Sequence, residues 1–242
     1  MFLCSKTLRK SASLSVEQFE HIAKEISPFC EYVYLHVKGE PMLHKNLLDI
    51  LHICKDYNFK VTITTNGTLL IKKLDILKEY PPHRINISIH SALVNEDMQY
   101  EDYIKNVLAF CDEMNEHTNT ALSLRVWNNE NKDTILSKKS LTIRKNLYLS
   151  VDNSFEWPDL NSSYYNENGY CYGLINQIAI LCDGTVTPCC LDGNGKINLG
   201  NVFNTPFKDI IESERAHNIV NGFRNRKVCE ELCKHCSFKE KF

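Results

Sequence analysis

No apolar run in this sequence approaches the roughly 18 residues that a membrane-spanning helix requires, and the N-terminus lacks the charged-then-apolar order of a signal peptide. These absences argue against a helical membrane protein and predict a cytoplasmic one. Excess charge is missing as well: 28 Lys and Arg balance 30 Asp and Glu, for a formal net charge of -2. A chain so balanced gives no electrostatic case for a nucleic-acid partner, and it carries no acidic tail. Hydrophobic residues at 43% and charged residues at 24% lie near globular averages, which excludes disorder and collagen-like repetition. With 242 residues the chain can bury a substantial core as one large domain, or as a medium domain with a small appendage.

What the chain does hold is cysteine. Eleven are too many for packing alone, and a chain of this length without export signals is not expected to be a disulfide scaffold. Cys4, Cys30, Cys54 and Cys111 are scattered, whereas Cys171, Cys182, Cys189, Cys190, Cys229, Cys233 and Cys236 crowd the last third. That crowding points to metal.

Between Ser15 and Trp127 helical periodicity alternates with short apolar runs, the pattern of a parallel β/α sheet or barrel. Ser15 caps a helix to Ile26, with Gln18 completing a capping box. Strands are expected at Tyr32–Val37, Lys60–Thr65, Arg84–His90 and Ala121–Trp127, and helices at Lys45–Tyr57, Leu69–Tyr80 and Tyr100–Glu116. Ligands of such folds bind at the carboxyl ends of the strands. Residues 1–127 are therefore read as a partial barrel, 128–169 as a bridge with some strand over Leu141–Val151, and 170–242 as a separate metal-binding domain. In that last region Asp183-Gly184 signals a hairpin, and a final helix is expected over Phe207–Phe223.

A Cys-x2-Cys turn such as Cys233 to Cys236 aims two thiolates at one point, and a hairpin carrying Cys189 can supply others. Four soft thiolates select zinc or an iron-sulfur cluster. The residues themselves leave both open, alongside plain buried thiols. Cys171, Cys189, Cys233 and Cys236 are the expected ligands, with Cys190 competing with Cys189, Cys229 surplus and Cys182 assigned to an apolar strand in the core.

The series Cys171, Asp183-Gly184, Pro188-Cys189-Cys190, Leu199-Gly200-Asn201 and Cys233-x2-Cys236 resembles the SPASM domain, the auxiliary-cluster module of many radical S-adenosylmethionine (radical SAM) enzymes. The resemblance implies an auxiliary 4Fe-4S cluster, and the cysteines suffice for one. It also implies a radical SAM partial (β/α) barrel ahead of it, and several strand ends match. Gly39-Glu40-Pro41 stands where that family has a Gly-Gly-Glu-Pro type motif facing the amino group of S-adenosylmethionine, and Thr65-Asn66 begins a Thr-Asn-Gly turn. Ser88, His90 and Arg125 fall where the family contacts the ribose and the carboxylate, although a lone strand His or Ser is more often structural.

In that family a Cys-x3-Cys-x2-Cys loop holds the cluster that reductively cleaves S-adenosylmethionine to a 5'-deoxyadenosyl radical. Here that loop is incomplete: Cys4 corresponds to its third cysteine, and position 1 is Met. The barrel is thus expected to lack its first strand, the chain to be N-terminally truncated, and the 242 residues alone to be inactive. S-adenosylmethionine and a second 4Fe-4S cluster are expected only with a completed N-terminus. The resemblance further implies a peptide, protein or small-molecule substrate and an electron donor such as flavodoxin or ferredoxin. The competing reading is a non-catalytic zinc or iron-sulfur interaction module.

Overall fold

The computed structural model describes residues 9–90, 99–128, 139–153 and 155–242. Helix α1 (Val16–Ile26) begins where the sequence says it should. The Ser15 hydroxyl accepts the Gln18 N–H at 3.1 Å, and the Gln18 side chain accepts the Ser15 N–H at 2.9 Å, so two orphan donors are satisfied. Then β1 (Tyr32–Leu35), α2 (Leu47–Asp56), β2 (Lys60–Thr65), α3 (Leu70–Glu79), β3 (Arg84–Ser88), α4 (Tyr100–His117) and β4 (Ala121–Asn128) follow in strict alternation. The first strand is shorter than its apolar run, because Val37 and Lys38 take positive φ of 92 and 53 and turn the chain out of the sheet. A β-branched residue in that region is strained, and Val37 lies two residues before Gly39 of the Gly39-Glu40-Pro41 loop.

Strands β5 (Lys139–Arg144) and β6 (Leu147–Asn153) follow, and the six form one sheet in the order β1-β2-β3-β4-β6-β5. All neighbours are parallel except the β5–β6 hairpin. Crossovers between sequential parallel strands, right-handed as a rule, carry α2, α3 and α4 on one face. That face is apolar: Val61, Ile63, Ile85, Ile87, Leu122, Leu124, Leu147 and Val151 are buried, as are Leu47, Leu77, Val107, Phe110 and Met114 of the helices. Residues 29–154 make up this compact unit.

The second unit joins the chain up to residue 28 with residues 155–242. It contains a three-stranded antiparallel sheet of β7 (Ala179–Ile180), β8 (Thr185–Thr187) and β9 (Gly200–Asn201), where a hairpin was expected. Gly184, at φ 84, makes the β7–β8 turn; a Cβ there would lie 2.5 Å from the Phe203 ring. The expected helix over Phe207–Phe223 is two helices, α5 (Phe207–Ile211) and α6 (Glu214–Arg224). Ser213 breaks them: its hydroxyl donates to the Ile210 carbonyl at 2.8 Å and accepts the Ala216 N–H at 3.3 Å, closing one helix and capping the next. The short α7 (Glu231–Lys234) and a 3-10 turn, Ser237–Lys241, complete the chain.

Helix α1 belongs to this second unit. Its Ile22 packs with Val186, Val202, Phe207 and Ile210, and its Glu25 carboxylate accepts the Phe207 N–H at 2.8 Å. Another cluster, of Ile197, Ile219, Phe223, Val228 and Leu232, backs Cys171 and Cys233. Among the described residues no helix is long and apolar enough to cross a membrane.

Burial sets the expected response to truncation. Phe110→Ala, at a side chain with no exposure, should cost about 3–5 kcal/mol, whereas Ile143→Ala, at 53% exposure on the edge strand, should stay within about 0.5 kcal/mol. Urea denaturation followed by far-ultraviolet circular dichroism measures both, and similar losses at the two sites would contradict this description of the core.

Candidate functional site

Parallel sheets are commonly apolar on both faces, but the strands here alternate. Opposite the helix-covered face stand Thr62 and Thr64 of β2, Asn86 and Ser88 of β3, Ser123 and Arg125 of β4, and Ser150 and Asp152 of β6. Register makes these into rows. Thr64, Asn86, Ser123 and Tyr148 lie side by side, and Ser88, Arg125 and Ser150 form the next row toward the carboxyl ends. Three of these polar residues are almost fully buried, Thr62 at 3%, Asn86 at 2% and Ser123 at 3% exposure. The Asn86 amide nitrogen donates to the Thr64 hydroxyl at 3.3 Å, while its oxygen has no partner. An unmet buried acceptor is costly unless something supplies a donor. Burial, with Arg84 adding to it, pushes the Arg125 guanidinium below its ordinary range, while Asp152 and Tyr34 pull it back. Because Arg keeps its charge in proteins, the site favours an anion. His90 Nδ1 lies 3.3 Å from the Arg125 carbonyl.

Glu40 occupies a different role from an open acceptor. One carboxylate oxygen accepts from the Thr65 hydroxyl at 2.8 Å and the Met42 N–H at 3.1 Å, and the other accepts the Asn66 N–H at 2.8 Å. The Thr65 hydroxyl in turn accepts the Gly67 N–H at 3.1 Å, and Tyr103 donates to the Asn66 carbonyl at 2.8 Å. Burial pushes the Tyr103 phenol up, which keeps it a donor. Thus Glu40 ties the Gly39-Glu40-Pro41 loop to the Thr65-Asn66 strand end. Gly67, at φ 80, is required there, since a Cβ would fall 2.6 Å from the Tyr103 hydroxyl.

The other candidate region lies among the cysteines. Cys171, Cys189, Cys190, Cys233 and Cys236 act electrostatically on one another. Burial raises all five thiols, Cys189 to about 12 with Cys190 and Cys171 adding to it, and Cys233 well above its usual range with Cys189, Cys236 and Cys171 adding. Against burial work backbone N–H groups aimed at sulfur: Tyr172 and Gly173 at Cys171, Leu191 and Asp192 at Cys189, and Phe238 and Lys239 at Cys236. The Gly173 N–H lies 3.4 Å from the Cys171 sulfur. Cys189 acts on Cys233, whereas Cys190 is coupled to Cys189 and Cys171. Among the described residues no three His, Cys, Asp or Glu side chains are grouped to hold a single metal ion. The thiols share one neighbourhood without closing round a single-ion point.

Beside them lies Lys239, 3% exposed. Its ammonium donates to the carbonyls of Cys233 at 3.0 Å, Lys234 at 3.1 Å and Cys236 at 3.1 Å, and sits 4.7 Å from the Tyr164 ring centre. Gly169, at φ 142, makes room: a Cβ there would meet the lysine chain at 2.9 Å. Asp192, also buried, accepts the Lys196 and Ile197 N–H groups and shapes the loop after Cys189.

Several sequence expectations meet a different outcome or none. Cys182 sits in the turn after β7, half-buried, rather than in a core strand. The exposed Cys229 donates to the Asn218 carbonyl at 3.3 Å. Cys4 lies outside the described residues. Two residues that matter here carry no signal in the sequence. Asn86 stands out only once strand register is known, and Lys239 is indistinguishable from any other lysine near a C-terminus.

Comparison with known proteins bears on both regions. Residues 4–136 match the family model described as the radical SAM superfamily, and residues 171–237 match the SPASM model, described as an iron-sulfur cluster-binding domain. A probable GTP 3',8-cyclase of Sulfurisphaera tokodaii is 42% identical over 82 residues, 32% of this chain and 25% of that protein. A probable GTP 3',8-cyclase of Methanococcus maripaludis is 32% identical over 92 residues, 36% of this chain and 31% of that protein. The chain therefore spans a quarter to a third of the length of these curated relatives. The crystal structure of BtrN in complex with AdoMet and 2-DOIA superposes with a TM-score of 0.65 at 21% identity, covering 96% of this chain and 83% of that one. Streptococcus suis SuiB bound to the precursor peptide SuiA gives 0.58 at 13% identity, covering 99% and 66%. These structures share the fold.

Two outcomes follow from the geometry. Glu40→Gln turns an amide N–H toward a backbone or hydroxyl donor, and should cost about 1–3 kcal/mol and speed hydrogen exchange at Asn66 and Gly67; unchanged exchange would show that the carboxylate does not hold this strand end. Cys54 and Cys111, unexposed and pushed by burial to about 12, should resist iodoacetamide at pH 8 while Cys229 reacts. Since their folded values exceed the unfolded one of roughly 8.5, their contribution to stability is complete below that pH and is lost as pH rises toward about 12. A stability curve flat across that alkaline range would contradict it.

Proposed function

This chain belongs to the radical SAM superfamily, whose model matches more than half of it, and on that premise we propose that it is a radical SAM/SPASM protein whose Cys171, Cys189, Cys233 and Cys236 hold one auxiliary 4Fe-4S cluster. The observation that carries this reading is the nest of mutually coupled thiols, three of them each faced by two backbone N–H groups. Such donors stabilise thiolate ligands, as Fe–S ligation needs. A group larger than one ion also reconciles a shared thiol neighbourhood with the lack of a single-ion site among the described residues. Cys189 is preferred over Cys190 because Cys171 acts on both but only Cys189 acts on Cys233. When bound, the cluster supplies one-electron redox chemistry. The residues around it bury it, orient its ligands and set its potential.

At the strand ends, the reading assigns the binding edge for S-adenosylmethionine to Gly39, Glu40, Pro41, Thr65, Asn66, Ser88 and Arg125. Glu40 acts there by fixing the loop against Thr65 and Asn66, which leaves the Gly39-Pro41 backbone to meet a cationic amine. Arg125 suits a carboxylate, and the unpartnered Asn86 oxygen suits a hydroxyl or amine of a molecule bound over the polar face. With a full radical-cluster loop the protein would reductively cleave S-adenosylmethionine to begin radical modification of a peptide, protein or small metabolite, with electrons from a donor such as flavodoxin or ferredoxin. Cys4 is read as the third cysteine of the radical-cluster loop. The reading includes a reducing, cytoplasmic setting, where thiols remain available as ligands.

Anaerobic reconstitution of the 242-residue chain with iron and sulfide tests the central claim. We expect about four irons per chain, visible absorption that bleaches with dithionite, and loss of both in Cys233→Ala and Cys236→Ala. Cys190→Ala should retain them. Stoichiometric zinc without colour, or full loading of the Cys233→Ala variant, would overturn the assignment.

A further inference from the structure

Lys239 presents a buried cation whose hydrogen bonds are complete and which, among the described residues, stands in no ion pair, with Glu240 acting on it only from a distance. An ammonium has three donors and no acceptor. Here three carbonyls take them, those of Cys233, Lys234 and Cys236, at 3.0, 3.1 and 3.1 Å. A neutral amine has two hydrogens and could not satisfy three acceptors, so this geometry is that of the charged form. The carbonyls remove the hydrogen-bond cost of burial but leave the larger cost of a desolvated charge. No ion pair among the described residues engages Lys239, and Glu240 beside it accepts from the Tyr164 hydroxyl at 2.7 Å. Two of the three acceptors belong to the very residues whose sulfurs enter the thiol nest.

We propose that Lys239 is a positioning residue that balances the charge of the auxiliary cluster from within, holding the Cys233–Cys236 turn by three hydrogen bonds and raising the cluster's reduction potential. The inference rests on the assignment of that cluster. A cluster ligated by four thiolates carries net negative charge, and one-electron reduction adds another unit. A fixed cation that already acts electrostatically on the Cys171 and Cys236 sulfurs lowers the energy of the more negative state, through surroundings too dry to screen it. The same contacts close the last carbonyls of α7, which places the charge by helix geometry rather than by a flexible arm. Gly169 completes the device, since any larger residue would displace the lysine chain.

The test uses the full chain, anaerobically reconstituted, with the midpoint potential read by dithionite titration under electron paramagnetic resonance and iron and sulfide measured in parallel. Lys239→Gln and Lys239→Met should load the cluster and shift its one-electron equilibrium toward the oxidised form by tenfold or more, about 59 mV, while Lys239→Arg stays near wild type. If only Lys239→Arg loads, the cation is needed for assembly and the proposal stands. Wild-type potentials in the neutral variants would overturn it, as would failure of Lys239→Arg to load alongside them, which would mark a purely steric role. Absence of iron in the wild type would instead remove the cluster assignment itself.

Discussion

Clean alternation along the parallel strands governs residues 29–154. Apart from Thr65 on the aliphatic side and Trp127 on the polar side, β2, β3, β4 and β6 send mostly aliphatic side chains to one face and mostly polar ones to the other, so the sheet can bury only half of itself in oil. Three crossovers of one hand satisfy that half with α2, α3 and α4. The other face is left with Thr62, Asn86 and Ser123, groups that burial makes expensive unless they are bonded. The strand-end residues inherit their positions from this arrangement: Arg125 lies level with Ser88 because β3 and β4 are in register, and Glu40 reaches Thr65 because β1 and β2 are neighbours.

The other unit solves a different problem. Its strands are two or three residues long, and a sheet that small buries little. Two hydrophobic clusters, one of them backing Cys171 and Cys233, supply much of its core. A thiol nest placed against such a core is dry, and dryness explains why every thiol in it is pushed up. Cluster binding there would add to folding stability as well as to chemistry.

Local rules were the most legible part of the sequence. The Ser15 and Gln18 capping box, the Lys60–Thr65 strand and the turn at Gly184 follow from the identities of a few neighbouring residues. Failures came where one residue opposed a longer pattern. Val37 fits a strand by propensity but adopts positive φ, and Ser213 interrupts a helical periodicity that otherwise runs from Phe207 to Phe223. Cys182 reads as part of an apolar run until the turn claims it. Residues whose meaning depends on distant partners were not legible at all. Nothing near Lys239 in the sequence announces three carbonyls and a glycine seventy positions away, and the orphaned oxygen of Asn86 exists only when β2 and β3 are aligned.

The membership of α1 in the cysteine-bearing unit gives the molecule an interleaved architecture. Ile22 completes a core otherwise built mainly from residues 178–211, and Glu25 bonds to the same segment, so the sheet unit is, in topological terms, an insertion between one helix and the rest of its own domain. The chain must cross between units twice, near residues 28 and 154. During synthesis α1 emerges before the sheet unit and waits through more than a hundred residues for the partners that cover it. Closure of the cysteine unit is consequently a late, long-loop event, and the cluster site is completed only after the sheet has already been translated.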